Sequence, residues 1–244
     1  MIFREKVNIS IKKIKQTFFN VKEHDLLIPG EIVNDQFSEL IKNIASKTEV
    51  KKIIEIGSSS GTGSTKYFID TLKRRKDIEE ISFICMEISN IRFKKLQNYL
   101  APYKFAKAYN LSSVDISSFP SEAEIIDFYK SRKTNLNKYS LNKILKWRQQ
   151  DIDYINSTGR NICGIQAIKK SLEIKVFDLC LIDGSEFTGK EELNYLMGSK
   201  YILLDDTESY KCREAFEILE KREDYQLIEH KSTCRNGFAA FKKS

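Results

Sequence analysis

This sequence has few residues that break a chain and little that cross-links one. Three prolines and ten glycines in 244 residues leave no linker-like tract, and no internal repeat divides the chain. No apolar stretch approaches the ~18 residues that a membrane span needs. The first residues, Met1-Ile2-Phe3-Arg4-Glu5-Lys6, lack the hydrophobic core and cleavage site of a signal peptide, so cytoplasmic residence is the expectation. Five cysteines, Cys85, Cys163, Cys180, Cys212 and Cys234, are odd in number and form no Cys-x-x-Cys pair. A disulfide framework and a thiolate zinc site are therefore not expected. Cys85 and Cys180 lie inside apolar runs, where a reduced cysteine packs as a small hydrophobe. No Gly-Lys-Ser/Thr follows the glycine-rich stretch, which argues against a phosphate-cradling loop, and no RNA-binding motif of a named type is found.

What is present suits one large α/β domain. Hydrophobic residues make up 41% of the chain, enough for a sizeable core. Forty-one Lys and Arg against 34 Asp and Glu give a net charge of +7. That charge favours an anionic partner, such as a phosphorylated or nucleotide-linked metabolite, nucleic acid or a membrane surface, or else is a solvated basic surface. The lysines are spread along the chain, with only short runs such as Lys73-Arg74-Arg75-Lys76.

The most informative segment runs from Lys51 to Ser64. An apolar strand, Lys52–Ile56, carries Glu55 and then breaks into Gly57, Gly61 and Gly63 before helical spacing resumes at Ser64. A strand, a tight turn and a helix N-terminus form the arrangement that nucleotide-type cofactors use in doubly wound sheets. The spacing is Glu-x-Gly-x3-Gly-x-Gly, not the Gly-x-Gly-x2-Gly of dinucleotide binders. Further apolar strands read at Ile81–Met86, Tyr103–Tyr109, Val176–Ile182, Lys200–Leu204, Tyr225–His230 and Phe238–Lys242. The last two flank Arg235-Asn236-Gly237, and Asn-Gly between apolar segments is a strong hairpin signal. The expected fold is thus α/β: a Rossmann-like, doubly wound mixed sheet of seven strands, the last antiparallel.

Ligands of open α/β sheets bind beyond the carboxyl ends of the strands. Those ends deliver Glu55, Glu87, the Asn110–Ser113 segment, Asp183, and the pair Asp205-Asp206. Acidic groups crowded at successive strand ends repel and need hydroxyl donors, amines or a cation as partners. Glu87 can accept both hydroxyls of a ribose, a device shared by several adenosine cofactors.

Glu55-x-Gly57-x3-Gly61-x-Gly63 resembles motif I of the class I S-adenosylmethionine (SAM) dependent methyltransferases. The resemblance covers residues 30–118 and 172–243. It implies SAM as cofactor, held by Glu55, Gly57, Ser58, Gly61, Gly63, Ser64, Glu87, Ser112 and Asp183. Phe177-Asp-Leu-Cys-Leu-Ile-Asp183-Gly184 with Leu203-Leu204-Asp205-Asp206 is similar to the catechol-type O-methyltransferase branch. There the matching positions, Asp183, Asp205 and Asp206, would hold Mg²⁺ or another divalent cation that acidifies the acceptor hydroxyl. Two departures are evident: Asp206 stands where Asn is usual, and Ser185-Glu186-Phe187 replaces a histidine-containing segment. The phrase Ile182-Asp183-Gly184-Ser185-Glu186-Phe187-Thr188-Gly189 also resembles methyltransferases of bacterial surface-polysaccharide clusters. The implied reaction is O-methylation of a small molecule or sugar, phosphorylated or nucleotide-linked, with Asp183 and Glu186 as the catalytic candidates. His230 is a further candidate base; His24 is given no role. The alternatives are a nicotinamide-dependent oxidoreductase and a non-catalytic SAM-binding protein. A nucleic-acid substrate is disfavoured, since the Asn/Asp-Pro-Pro-Tyr signature of amino-group methylation is absent.

The expected organisation is one domain over 1–244, with a helical extension over 1–50 and a helical insertion over about 119–172. Ser121-Glu122-Ala123-Glu124 is a capping box, and Leu141, Ile144, Leu145, Ile152 and Ile155 form an amphipathic series around Trp147, the single tryptophan. An insertion longer than an ordinary crossover is expected either to shape substrate access or to be a decorative addition or a homodimer contact.

Overall fold

The computed structural model describes residues 23–244. The basic and apolar segment 5–19, expected as an arm or an amphipathic helix, lies outside them. Seven strands form a single sheet: β1 (Lys52–Ile56), β2 (Ser82–Met86), β3 (Ala106–Tyr109), β4 (Leu179–Ile182), β5 (Tyr201–Asp205), β6 (Tyr225–Lys231) and β7 (Phe238–Lys243). Their order is β3-β2-β1-β4-β5-β7-β6. The first five strands run parallel to one another, and β7 enters antiparallel between β5 and β6. This is the mixed, seven-stranded sheet that the strand pattern implied.

Strand alternation divides the core into two layers. On one face Ile53, Phe83, Cys85, Leu181 and Leu203 pack beneath helices α1 (Gln36–Ala45), α2 (Ser64–Leu72) and α3 (Asn90–Leu100). On the other, Ile54, Ile84, Cys180, Ile182, Ile202 and Leu204 face α6 (Gly164–Ser171), α7 (Gly189–Leu196) and α8 (Tyr210–Glu220). The insertion supplies α4 (Glu122–Ser131) and α5 (Leu141–Thr158) and builds a third cluster. Ile125, Phe128, Ile144, Ile152 and Ile155 close there around Phe187 and Tyr210, so the insertion is seated directly over the ends of β4 and β5. The Ser121 capping box forms as its sequence implies, with Ser121 and Glu124 bonding reciprocally.

Several boundaries differ from the sequence reading for local reasons. β4 starts at Leu179, not Val176, because the Asp178 carboxylate accepts the backbone N–H groups of Lys51 and Lys52, at 2.9 and 2.7 Å, and fixes the strand entry. β3 starts at Ala106, since Tyr103 and Ala106 are held in turns by Leu100 and Tyr103 carbonyls. The expected helical extension over 1–50 is helical in its described part only at Glu23–Asp25, as a 3₁₀ turn, and at α1. Between them Leu26–Asp35 carries Pro29-Gly30 and runs as irregular chain over the glycine turn. Among the described residues no helix is long and apolar enough to cross a membrane.

Candidate cofactor and acceptor site

The glycine turn has the geometry that its spacing implies. Gly57 has φ +84°, and a Cβ there would lie 1.9 Å from the Asp183 carbonyl oxygen, so β1 and β4 approach as closely as they do only with glycine. The N–H groups of Gly57 and Ser58 both donate to the Met86 carbonyl, at 3.1 and 3.0 Å, which folds the turn back toward β2. Gly30 lies against Gly63, leaving 2.6 Å between a Gly30 Cβ and the Gly63 backbone, so the irregular N-terminal chain roofs the turn.

A cleft of about 530 Å³ opens beside this turn, at the carboxyl edge of the sheet. Of the residues named from sequence, Gly57, Ser58, Gly63, Ser64, Glu87, Ser112, Asp183, Glu186 and Asp206 line it. Glu55, Gly61 and Asp205 do not. Glu55 is fully buried behind the turn and accepts the hydroxyls of Ser64 and Thr65, each at 2.6 Å. Burial pushes its carboxyl upward, opposed by those hydroxyl bonds. It anchors the first turn of α2 and is not exposed to a ligand. Gly61 faces the Tyr99 ring on α3, so it shapes the turn from its far side. His230 is likewise outside the cleft, packed on Phe216 with ring centroids 4.4 Å apart.

Glu87 is only 6% exposed, and its Oε1 accepts the Ser89 N–H at 2.7 Å. Burial raises its carboxyl above the usual range, opposed by that bond and by the nearby Arg92. Ser112 lines the cleft, but its hydroxyl is turned to the Val114 carbonyl at 2.6 Å. The strand order β2-β1-β4-β5 then sets the direction of the cleft, from Glu87 past the glycine turn to Asp183 and Asp206.

Sequence reasoning missed the walls. His24 and Tyr154 stack with ring centroids 4.8 Å apart, and both line the cleft. The Tyr154 hydroxyl donates to Asp25 Oδ1 at 2.7 Å, and the same carboxylate takes the Ser89 hydroxyl at 2.8 Å. Asp151, on the inserted helix α5, accepts from His24 at 2.6 Å and also takes the Ser185 hydroxyl. Trp147, Phe119 and Phe187 add aromatic surface. These partners come from segments 127 residues apart in the case of His24 and Asp151, so no local motif announces them.

At the far end, Asp183, Asp205 and Asp206 converge, with one oxygen of each within 4.8 Å of the others. Their partners are side-chain cations. Lys211 Nζ lies 2.7 Å from Asp183 Oδ1 and 2.6 Å from Asp206 Oδ2. Arg235 Nη2 lies 2.5 Å from Asp205 Oδ1, and Arg235 also pairs with Asp35. Burial pushes the Asp183 carboxyl up to about 7, with Lys211 pulling it down and Asp206 pushing it up. Asp205 is raised well above the usual range by burial and by the two neighbouring aspartates. Burial would lower Lys211, but Asp183, Asp206, Asp205 and Glu186 together hold it well above the ordinary lysine value. Glu186 also lines the cleft; burial raises its carboxyl, and its Oε1 accepts the Lys211 backbone N–H at 3.3 Å.

This donor set, as arranged, does not suit a divalent ion. A dication bonded to the oxygens that Lys211 holds would have to displace the ammonium from both of them. Asp205 is 2% exposed and committed to Arg235. The three carboxylates named from the sequence lie together, and where a metal is expected the Lys211 ammonium holds two of them.

No family profile matches the sequence, and no curated protein matches it significantly. Solved structures do. A Staphylococcus aureus protein provisionally named a caffeoyl-CoA O-methyltransferase aligns over 99% of this chain and 100% of its own, at 15% identity and a TM-score of 0.53. An O-methyltransferase from Bacillus cereus, solved with S-adenosylhomocysteine, aligns over 96% and 97% at 10% identity and a TM-score of 0.52. A Klebsiella pneumoniae protein, provisionally named an O-methyltransferase, gives 96%, 95%, 12% and 0.54 in the same terms. At these identities the likeness is one of architecture, and it extends over nearly the whole chain, insertion included. The chain has the fold of the class I SAM-dependent methyltransferases.

Proposed function

We propose that this protein is a SAM-dependent methyltransferase acting on a hydroxyl of a small molecule or sugar. The observation that carries the reading is that the glycine turn, Glu87, Asp183 and Glu186 all line one cleft, in the order in which an extended adenosine-sulfonium cofactor would meet them. In such a reaction the methyl carbon exchanges its bond to sulfur for one to the acceptor oxygen, sulfur keeps the electron pair, and the acceptor's proton leaves.

The chain's own groups suit each task. The backbone of Gly57 and Ser58 offers close approach to the amino acid part, and Glu87 offers a charged acceptor for the ribose hydroxyls. Asp183 contributes negative charge beside the cationic centre. Glu186 is the proposed proton acceptor, because burial raises its carboxyl toward the range in which a general base works at neutral pH. Phe119, Trp147 and Phe187 supply an apolar wall that excludes water and orients an acceptor ring. The net charge of +7 favours an anionic acceptor, of which a nucleotide-linked sugar is one kind.

Titration calorimetry with SAM, S-adenosylhomocysteine and NAD tests the reading. Binding of the first two and not the third is expected; absence of SAM binding would overturn it. A screen of phenols and nucleotide-linked sugars with methyl-labelled SAM then identifies the acceptor.

A further inference from the structure

Lys211 occupies an unusual position for a lysine. It is the second residue of α8, in a first turn whose unpaired N–H groups already carry partial positive charge. A cation is disfavoured there unless something outside the helix holds it. Its backbone is pinned as well. Gly189 of α7 approaches so closely that a Cβ on it would lie 1.9 Å from the Lys211 carbonyl oxygen, and Lys211 N–H is shared by Glu186 Oε1 and Ser209 Oγ, both at 3.3 Å. The ammonium is delivered between the ends of β4 and β5, to Asp183 and Asp206. The side chain is 12% exposed and lines the cleft beside Glu186. Two of the three ammonium protons are used on these carboxylates. Meanwhile Asp206 Oδ1 is buried with no hydrogen-bond partner, so this corner retains a surplus of acceptors.

We propose that Lys211 is the resident cation of the acceptor site: its ammonium stands where a divalent ion would have to bind among Asp183, Asp205 and Asp206, and its remaining N–H holds the acceptor oxygen. The proposal rests on the methyltransferase reading for the identity of that oxygen, but the occupancy of the cation position does not. With Lys211 in place the acceptor oxygen is fixed by a donor that needs no metal. As the new carbon–oxygen bond forms, the acceptor's proton passes to Glu186, and the ammonium keeps its own protons throughout. The methyl transfer is therefore independent of divalent metal in the native protein. Removing the ammonium leaves Asp183 and Asp206, with the unpartnered Asp206 Oδ1, facing an empty position that a hard cation can fill.

The test uses Mn²⁺ as probe, followed by electron paramagnetic resonance, on the full chain and on Lys211→Ala and Lys211→Gln. SAM binding is measured in parallel by calorimetry. The native protein is expected to show no saturable Mn²⁺ site. Lys211→Ala is expected to bind one Mn²⁺ per chain saturably, and Asp206→Asn added to that variant should abolish the site. Lys211→Gln keeps a polar side chain, one atom shorter and without the charge, so it serves if the alanine variant does not fold. A stoichiometric Mn²⁺ site in the native protein, lost in Asp206→Asn, would overturn the proposal. So would the absence of Mn²⁺ binding by a folded Lys211 variant. Failure of the native protein to bind SAM would instead remove the methyltransferase reading, leaving the Mn²⁺ contrast to be judged by itself.

Discussion

Replacing Glu87 separates binding from folding more cleanly than any other change in the cleft. Its carboxylate does two things at once. Oε1 accepts the Ser89 N–H at 2.7 Å at the start of α3, and the side chain forms part of the cleft wall. A charged acceptor toward a ribose hydroxyl contributes about 1.5–3 kcal/mol, which corresponds to about a ten- to hundredfold change in Kd. Because one oxygen is already engaged by Ser89, the lower half of that range is the expectation for SAM. Glu87→Ala removes both roles, so it should weaken SAM binding at least about tenfold and also lower stability by about 1 kcal/mol through the orphaned Ser89 N–H. Glu87→Gln keeps an oxygen for Ser89 but presents a neutral amide to the ribose. It should lose nearly as much affinity with nearly native stability. Calorimetry measures the first quantity and urea denaturation the second. The direction of the Glu87 shift adds a signature: burial raises its carboxyl, so SAM binding should weaken as pH falls through that raised range as the carboxylate takes up a proton. SAM affinity of Glu87→Gln within about twofold of native, over a stability loss seen only in Glu87→Ala, would show that Glu87 is a helix-start residue and refute the cofactor assignment.

Other consequences follow from the same framework. Gly57→Ala puts a non-glycine residue at φ +84° and a methyl 1.9 Å from the Asp183 carbonyl oxygen; about 3 kcal/mol of destabilisation is expected from left-handed strain plus overlap, and an unchanged urea midpoint would contradict the packing described. Asp178→Ala frees the Lys51 and Lys52 N–H groups; loss of about 2 kcal/mol is expected, with Asp178→Asn recovering part of it, and equal stability of both variants with the native protein would dismiss the cap. Burial raises the Asp183 carboxyl from an ordinary 3.8 to about 7 in the folded chain, so between these values the folded state should bind more protons than the unfolded one. Its contribution therefore makes stability fall as pH rises through that window and level off above it. Asp183→Asn should flatten that slope in urea titrations at several pH values, and an identical slope would show that its titration is not linked to folding.

The sheet was legible because its signal is local. Apolar runs at Lys52–Ile56 and Ser82–Met86 alternate between two buried faces, and the Asn236-Gly237 pair sits in the connection between β6 and β7. The carboxylates at strand ends could be named for the same reason, since a strand that stops at an acidic residue declares its end. What those carboxylates contact was not legible. Glu55 and Glu87 occupy equivalent-looking places at adjacent strands, yet one is sealed beneath Ser64 and Thr65 and the other lines the cleft. Strand periodicity gives the face of the sheet; it does not reveal which hydroxyls the next helix turn brings overhead. Lys211 escaped notice because it lies 28 residues from Asp183 and near the start of a helix, where a lone lysine carries no pattern. Arg235 reads as part of a hairpin turn, and its pairing with Asp205, 30 residues away, depends on β7 entering antiparallel beside β5.

The four carboxylates Glu55, Asp183, Asp205 and Asp206 answer like-charge crowding in different ways, and the difference assigns their roles. Glu55 accepts hydrogen bonds from two fixed hydroxyls, those of Ser64 and Thr65, which hold α2 in place. Asp205 is met by Arg235, whose planar fork is also engaged by Asp35, so that pair is committed to fixing the hairpin against α1. Neither can respond to a ligand without breaking the fold. Asp183 and Asp206 are met by an ammonium on a flexible four-carbon stem, with a proton to spare and the cleft beside it. A lysine in that position can move by an ångström toward an incoming oxygen and keep both carboxylates satisfied, which an arginine fork or a hydroxyl cannot do. The side chain that relieves the repulsion between half-buried Asp183 and buried Asp206 is thus also the one group of this cluster able to follow a substrate, and the Asp206 carboxylate supplies the second negative charge that keeps it there.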